Sequence, residues 1–108
     1  MSSISDQIQK IITSQDVVLF MKGVPAAPQC GFSATVVQVL GAMQVPFGSV
    51  NVLEDGAIRE GIKEFSNWPT VPQLYIKGEF IGGADIVREM HKTGELKALL
   101  DQKGVVVA

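Results

Sequence analysis

A single cysteine, Cys30, stands in 108 residues, and that scarcity excludes more than any one motif establishes. One thiol rules out a disulfide within the chain and any metal site built only from the chain's own cysteines. A fold that does without disulfides suits a reducing compartment, so a cytoplasmic location is the expectation. Charge of one sign is also missing. Nine Lys and Arg against eleven Asp and Glu leave a net charge of −2, with no basic patch of the kind that holds nucleic acid. Long apolar runs are missing too: Val17–Met21 is among the longest and is far too short to cross a bilayer. The first residues, Met1 to Asp6, lack the basic and apolar regions of a signal peptide and the Arg-rich character of a transit peptide. A cleaved leader would leave no trace here, so a processed mitochondrial or plastid protein stays open. Without repeats, low-complexity stretches or linkers, residues 1–108 are expected to form one domain.

What is present is an ordinary globular composition, 46% apolar and 19% charged, enough for a core without staples. Ile4, Ile8, Ile11 and Ile12 fall on one helical face. Val17–Met21, continuously apolar and rich in β-branched residues, predicts a strand covered on both sides. Residues 22–29, with Gly23, Pro25 and Pro28, predict a loop. A helix is expected from Gly31 to Met43, with Val36, Val37, Leu40 and Met43 inward, and a strand over Phe47–Val52 after Pro46. Ile58, Ile62 and Phe65 give a third helical stripe. Gln73–Ile76 and Glu79–Ile81, joined by Lys77-Gly78, predict a hairpin. A last helical pattern starts near Asp85, breaks near Gly94 and resumes through Leu96, Leu99 and Leu100; the tail from Gly104 is expected to fray. Met21, Met43 and Met90 read as core, His91 as a surface residue near helix-end carbonyls, and Trp68 as packing or partner surface. The order α-β-α-β-α-β-β-α predicts an α/β protein with a thioredoxin-like fold, a mixed four-stranded sheet flanked by helices on both faces.

Cys30 falls where a loop ends and a helix begins. Unpaired backbone N–H groups and the helix dipole at such a place favour the thiolate, the form that acts as nucleophile and metal ligand. The plainer alternative is a buried cysteine serving as a small hydrophobe.

The segment Cys30-Gly31-Phe32-Ser33 resembles the active site of the monothiol glutaredoxins. The likeness extends to Met21-Lys22-Gly23, Pro28-Gln29, Trp68-Pro69-Thr70-Val71-Pro72 and Gly82-Gly83-Ala84-Asp85, in the family's order and over nearly the whole chain. Ser33 stands where a dithiol relative has its second cysteine, and Ala84 where many members carry another. A disulfide on Cys30 must then be resolved by an outside thiol.

The resemblance implies a glutathione site. Lys22 and Arg59 would hold the glycyl carboxylate, with Lys63 as a helper one turn from Arg59. The alternative for Arg59 and Lys63 is a solvated helix face. A cis peptide before Pro72 would turn the Val71 backbone towards the cysteinyl part of the ligand. The helix start at Ala84 would bind the γ-glutamyl carboxylate, and Asp85 its ammonium; Asp85 as a helix N-cap is the simpler role.

Two functions follow as expectations. In the first, Cys30 is one ligand of a 2Fe–2S cluster. Two chains and two glutathione thiols supply four ligands, so the cluster would bridge a homodimer and pass to apo iron–sulfur proteins; a BolA-type protein could replace one chain. In the second, Cys30 is the catalytic nucleophile of a glutathione-dependent oxidoreductase that removes glutathione from protein thiols, with at most weak activity. A third reading is an interaction module in which Cys30 is incidental. No nucleic acid and no membrane is expected as partner.

Overall fold

The computed structural model describes residues 3–105. Helix α1 (Ile4–Thr13) opens on Ser3, whose Oγ accepts the Asp6 N–H at 3.0 Å. Strand β1 (Val17–Met21) is buried along its whole length. It lies inside a four-stranded sheet, parallel to β4 (Gly48–Asn51) on one side and antiparallel to β5 (Gln73–Ile76) on the other, with β6 (Glu79–Gly82) outermost. Alternate residues of a strand face opposite ways, so the one apolar run feeds two cores. Val17, Leu19 and Met21 pack with Val36 and Leu40 of α2 (Gly31–Ala42), Val87 of α4 (Ala84–Thr93) and Leu96 and Leu100 of α5 (Glu95–Gln102). Val18 and Phe20 pack with Ile8 and Ile12 of α1 and Ile58 and Ile62 of α3 (Gly56–Ser66). The expected thioredoxin-like arrangement is what forms. Among the described residues no helix is long and apolar enough to cross a membrane.

Several local expectations need correction. The Gly/Pro-rich loop holds a small hairpin of β2 (Gly23–Val24) and β3 (Ala27–Pro28). The strand expected over Phe47–Val52 is only Gly48–Asn51, because Asn51 Oδ1 accepts the Leu53 N–H at 3.0 Å and turns the chain into a short 3-10 helix, Val52–Glu54. Gly94, with φ +84, separates α4 from α5 as expected, its missing Cβ making the left-handed turn accessible. The start of the tail is tied down: the Val105 N–H donates to Leu100 O at 2.9 Å and the side chain is buried in the core, while residues 106–108 lie outside the described residues. His91 lies in the last turn of α4 but is only half-exposed, and its Nδ1 is buried without a hydrogen-bond partner among the described residues. Met21 is fully buried, and Met43 and Met90 pack at the core's margin.

Candidate functional site

Cys30 is the N-cap residue of α2, with extended backbone at φ −152 and ψ 135 and no side-chain cap bond onto its own helix. The first-turn amides of Phe32 and Ser33 instead face the sulfur, without a full cap bond. The thiol sits below its ordinary value of 9.0: the Ser33 amide contributes most, partial burial works against it, and the Phe32 amide, the Lys22 charge and the Ser33 hydroxyl add smaller downward effects. Cys30 is partly exposed, which removes the buried-hydrophobe alternative.

The loop before Cys30 is pinned from three sides. The Lys22 N–H donates to Ser33 Oγ at 3.1 Å, the Gly23 N–H to Asn51 Oδ1 at 2.9 Å, and the Gln29 N–H to Lys22 O at 2.9 Å. Gly23 adopts φ +90, and a Cβ there would come within 2.6 Å of the Gln29 nitrogen. Both the left-handed backbone and the close approach demand glycine. The fully buried Ser33 thus does more than fill the place of a second sulfur, because it anchors the end of β1 to the start of α2.

A cavity of about 490 Å³ opens beside the thiol and is lined by every residue nominated from the sequence: Lys22, Cys30, Arg59, Lys63, Val71, Ala84 and Asp85. Lys22 follows β1, Arg59 and Lys63 come from α3, and the loop through Val71 and the start of α4 complete the wall. Arg59 is half-buried, and its Nε has no hydrogen-bond partner among the described residues. That donor at a cavity wall argues against a merely solvated helix face. Lys63 is in part engaged by Glu60 at 3.6 Å.

The Val71–Pro72 peptide is cis, as the resemblance implied. Asp85 is not the cap of α4. Gly83 takes that position with extended backbone, and Asp85 lies in the first turn, 83% exposed, 3.4 Å from the Arg88 guanidinium. The helix begins two residues earlier than a cap at Asp85 would start it, so the Asp85 carboxylate makes no cap bond to its first amides. A Cβ at Gly83 would lie 3.3 Å from Pro72 O and 3.4 Å from Trp68 Nε1, so this helix start is tightly packed against the opposite loop.

Sequence reasoning did not place Phe32, Trp68, Thr70 and Ile86 on the cavity wall. Phe32 is 63% exposed beside the thiol, a costly position for a large apolar side chain that its place inside the Cys30–Ser33 segment could have flagged. Trp68 packs on Phe80 with ring centroids 5.7 Å apart and so joins packing to site lining. Among the described residues no group of three or more His, Cys, Asp or Glu could hold a metal ion. Any metal centre at Cys30 therefore needs ligands from outside the chain.

This geometry has close counterparts. The Glutaredoxin family model matches residues 17–81. The chain is 57% identical over 94 residues to the chloroplastic monothiol glutaredoxin-S14 of Arabidopsis thaliana, covering 87% of this chain and 54% of the relative. It is 50% identical over 95 residues to an uncharacterized monothiol glutaredoxin, ycf64-like, of Synechocystis, covering 88% and 89%. The solution structure of reduced poplar apo GrxS14 superposes with a TM-score of 0.82 at 52% identity, over 94% of this chain and 93% of that one. The chain thus spans about half of the plant relative and most of the cyanobacterial one. With a lone cysteine at the N-cap position of α2, a serine in place of the second and this likeness over most of its length, the chain belongs to the glutaredoxin family, among its monothiol members.

Proposed function

We propose that this protein carries a 2Fe–2S cluster as cargo, binding it through Cys30 together with glutathione and passing it to apo iron–sulfur proteins. One observation carries the reading: a partly exposed, thiolate-favouring cysteine stands on the rim of a cavity with cations on one wall and a helix N-terminus on another. Glutathione is a thiol with a carboxylate at each end, which suits such a cavity. Lys22, Arg59 and Lys63 take the glycyl carboxylate, the Val71 backbone pairs with the cysteinyl unit like an added strand, and the Ala84 amide and Asp85 take the γ-glutamyl end. Asp85 already has Arg88 as a neighbour, so it contributes least.

The chain supplies one thiolate of the four ligands a cluster of this type needs. A second copy and two glutathione thiols complete the set, which makes the homodimer cluster-dependent; a BolA-type partner in place of one copy is the alternative assembly. A reducing compartment suits this chemistry, the cytoplasm first, with a processed organellar form served equally well. The test is anaerobic reconstitution with iron and sulfide, with and without glutathione, followed by visible absorption, circular dichroism and sizing. A glutathione-dependent 2Fe–2S spectrum on a dimer, absent in Cys30→Ser, is expected.

The lowered thiol also favours a second reading. The Cys30 thiolate attacks the glutathione sulfur of a mixed disulfide and the protein thiolate leaves. A free glutathione thiolate then attacks the Cys30–glutathione disulfide and departs as oxidised glutathione. A monomer that takes up no cluster yet turns over such disulfides would make this the main activity.

A further inference from the structure

Behind the cavity lies a buried polar network that neither reading uses. Gln73, the first residue of β5, is fully buried in a run of otherwise apolar neighbours. Its Nε2 donates to two carbonyls of the cavity loop, Trp68 O at 3.2 Å and Thr70 O at 3.1 Å, and its Oε1 accepts the Tyr75 hydroxyl at 3.1 Å. Both amide hydrogens and the carbonyl oxygen thus find partners, and the alternative amide orientation would set an oxygen against two carbonyls. Buried polar groups are costly unless satisfied, so a glutamine here fixes the loop in one place.

The network continues into α3. The Trp68 N–H is shared between Lys63 O and Ser66 Oγ, each at 3.1 Å, and the Ser66 hydroxyl donates to Ile62 O at 2.9 Å. Tyr75 backs the same loop: burial pushes its hydroxyl up to about 12, with the nearby Ser66 hydroxyl working against that rise. The loop that bears Val71 is therefore held by side chains and backbone of the helix that bears Arg59 and Lys63.

We propose that Gln73 is a positioning residue: its buried carboxamide fixes the Trp68–Thr70 segment to β5 while α3 holds the same segment through the Trp68 N–H, and so it sets the distance between the Val71 backbone and the cations that grip glutathione. The inference rests on the glutathione reading above. Trp68 is the chain's one tryptophan, so its near-UV circular dichroism reports this loop directly.

The experiment measures reduced glutathione binding by calorimetry to the wild-type chain, Gln73→Met and Ser66→Ala, beside thermal unfolding, the Trp68 signal and the pH profile of Cys30 alkylation. Gln73→Met keeps the bulk and loses both donors; its Kd is expected to rise about tenfold in fully folded protein, with a weakened Trp68 signal and an unmoved alkylation profile. Ser66→Ala, which leaves Gln73 in place, is expected to raise Kd about threefold. A merely structural glutamine would lower the melting temperature and leave Kd alone. Folded Gln73→Met binding within twofold of wild type overturns the inference. Should that variant not fold, Ser66→Ala with wild-type affinity overturns it instead. A wild-type chain that takes up no glutathione overturns the pocket assignment, and this inference with it.

Discussion

The helices of this chain begin in two different ways. Those of one face, α1 and α3, bring their own caps: Ser3 Oγ accepts the Asp6 N–H, and Asp55 Oδ1 accepts the Ala57 and Ile58 N–H groups at 3.0 and 3.2 Å. On the other face, α2 and α4 begin at Cys30 and Gly83 with no side-chain cap bond, and both starts line the cavity. A cap is worth about 1 kcal/mol. At the cavity, the Phe32 and Ser33 amides of α2 turn to the Cys30 sulfur and the start of α4 keeps its amides clear of any capping side chain. Helix α5, beginning at Gly94, also lacks a side-chain cap but lines no part of the cavity. Capping and binding draw on the same donors, so a helix start can be made more stable or left more receptive.

That contrast can be broken outright at Cys30. Cys30→Ser places a favoured cap residue at the start of α2, so thermal unfolding is expected at or above the wild-type temperature. Cluster uptake and glutathione-dependent turnover are expected to vanish together. Retention of either activity would return Cys30 to an incidental role. Lys22→Ala removes a cation beside the same thiol, and a calorimetric Kd for glutathione about tenfold weaker is expected, the scale of one charge-assisted hydrogen bond. Unchanged affinity would refute the assigned pocket.

Gly83→Ser tests the other uncapped start. A serine there caps α4 from within, and its Cβ presses on Pro72 O and Trp68. Glutathione binding is expected to weaken about fivefold, the scale of one neutral hydrogen bond, while stability stays at wild-type level; tighter binding would show that the α4 amides take no part. Asp55→Ala is the converse. It strips a cap from the closed class and is expected to cost about 1 kcal/mol in chemical denaturation with glutathione affinity unmoved.

The smallest effect concerns pH. Iodoacetamide alkylation of Cys30 is expected to rise with a midpoint below 9.0, and Lys22→Ala to move that midpoint upward. Because the folded thiol is depressed, its contribution to stability is complete above the unfolded value and is lost as pH falls through the folded midpoint. A midpoint at or above 9.0 would contradict the lowered thiol.

Much of this was legible in the sequence, and the reasons differ from element to element. The isoleucine stripe of α1, the apolar run of β1 and the hairpin turn at Lys77-Gly78 obey local periodicity, and each forms where it was expected. The helix start at Cys30 was legible because a Gly/Pro-rich loop ran into a helical pattern. What escaped was set by contacts distant in sequence. The β2–β3 hairpin depends on Asn51, twenty-eight residues from Gly23, and nothing local distinguishes Gln73 from a polar residue at a strand's edge. Asp85 misled because a carboxylate near a helix start suggests a cap, whereas an extended Gly83 had already begun the helix.

Gly23 has a consequence for how this protein can vary. Its side of the loop meets Gln29, one residue before the functional thiol, and the Ala27 carbonyl, so any side chain there would push on the backbone that leads into Cys30. Val24, Ala26 and Ala27 at the hairpin's tip are exposed. Sequence drift in this loop is thereby steered outward to the tip, where a fluorophore or an affinity handle should also be tolerated, while the stretch that aims the sulfur admits almost no change.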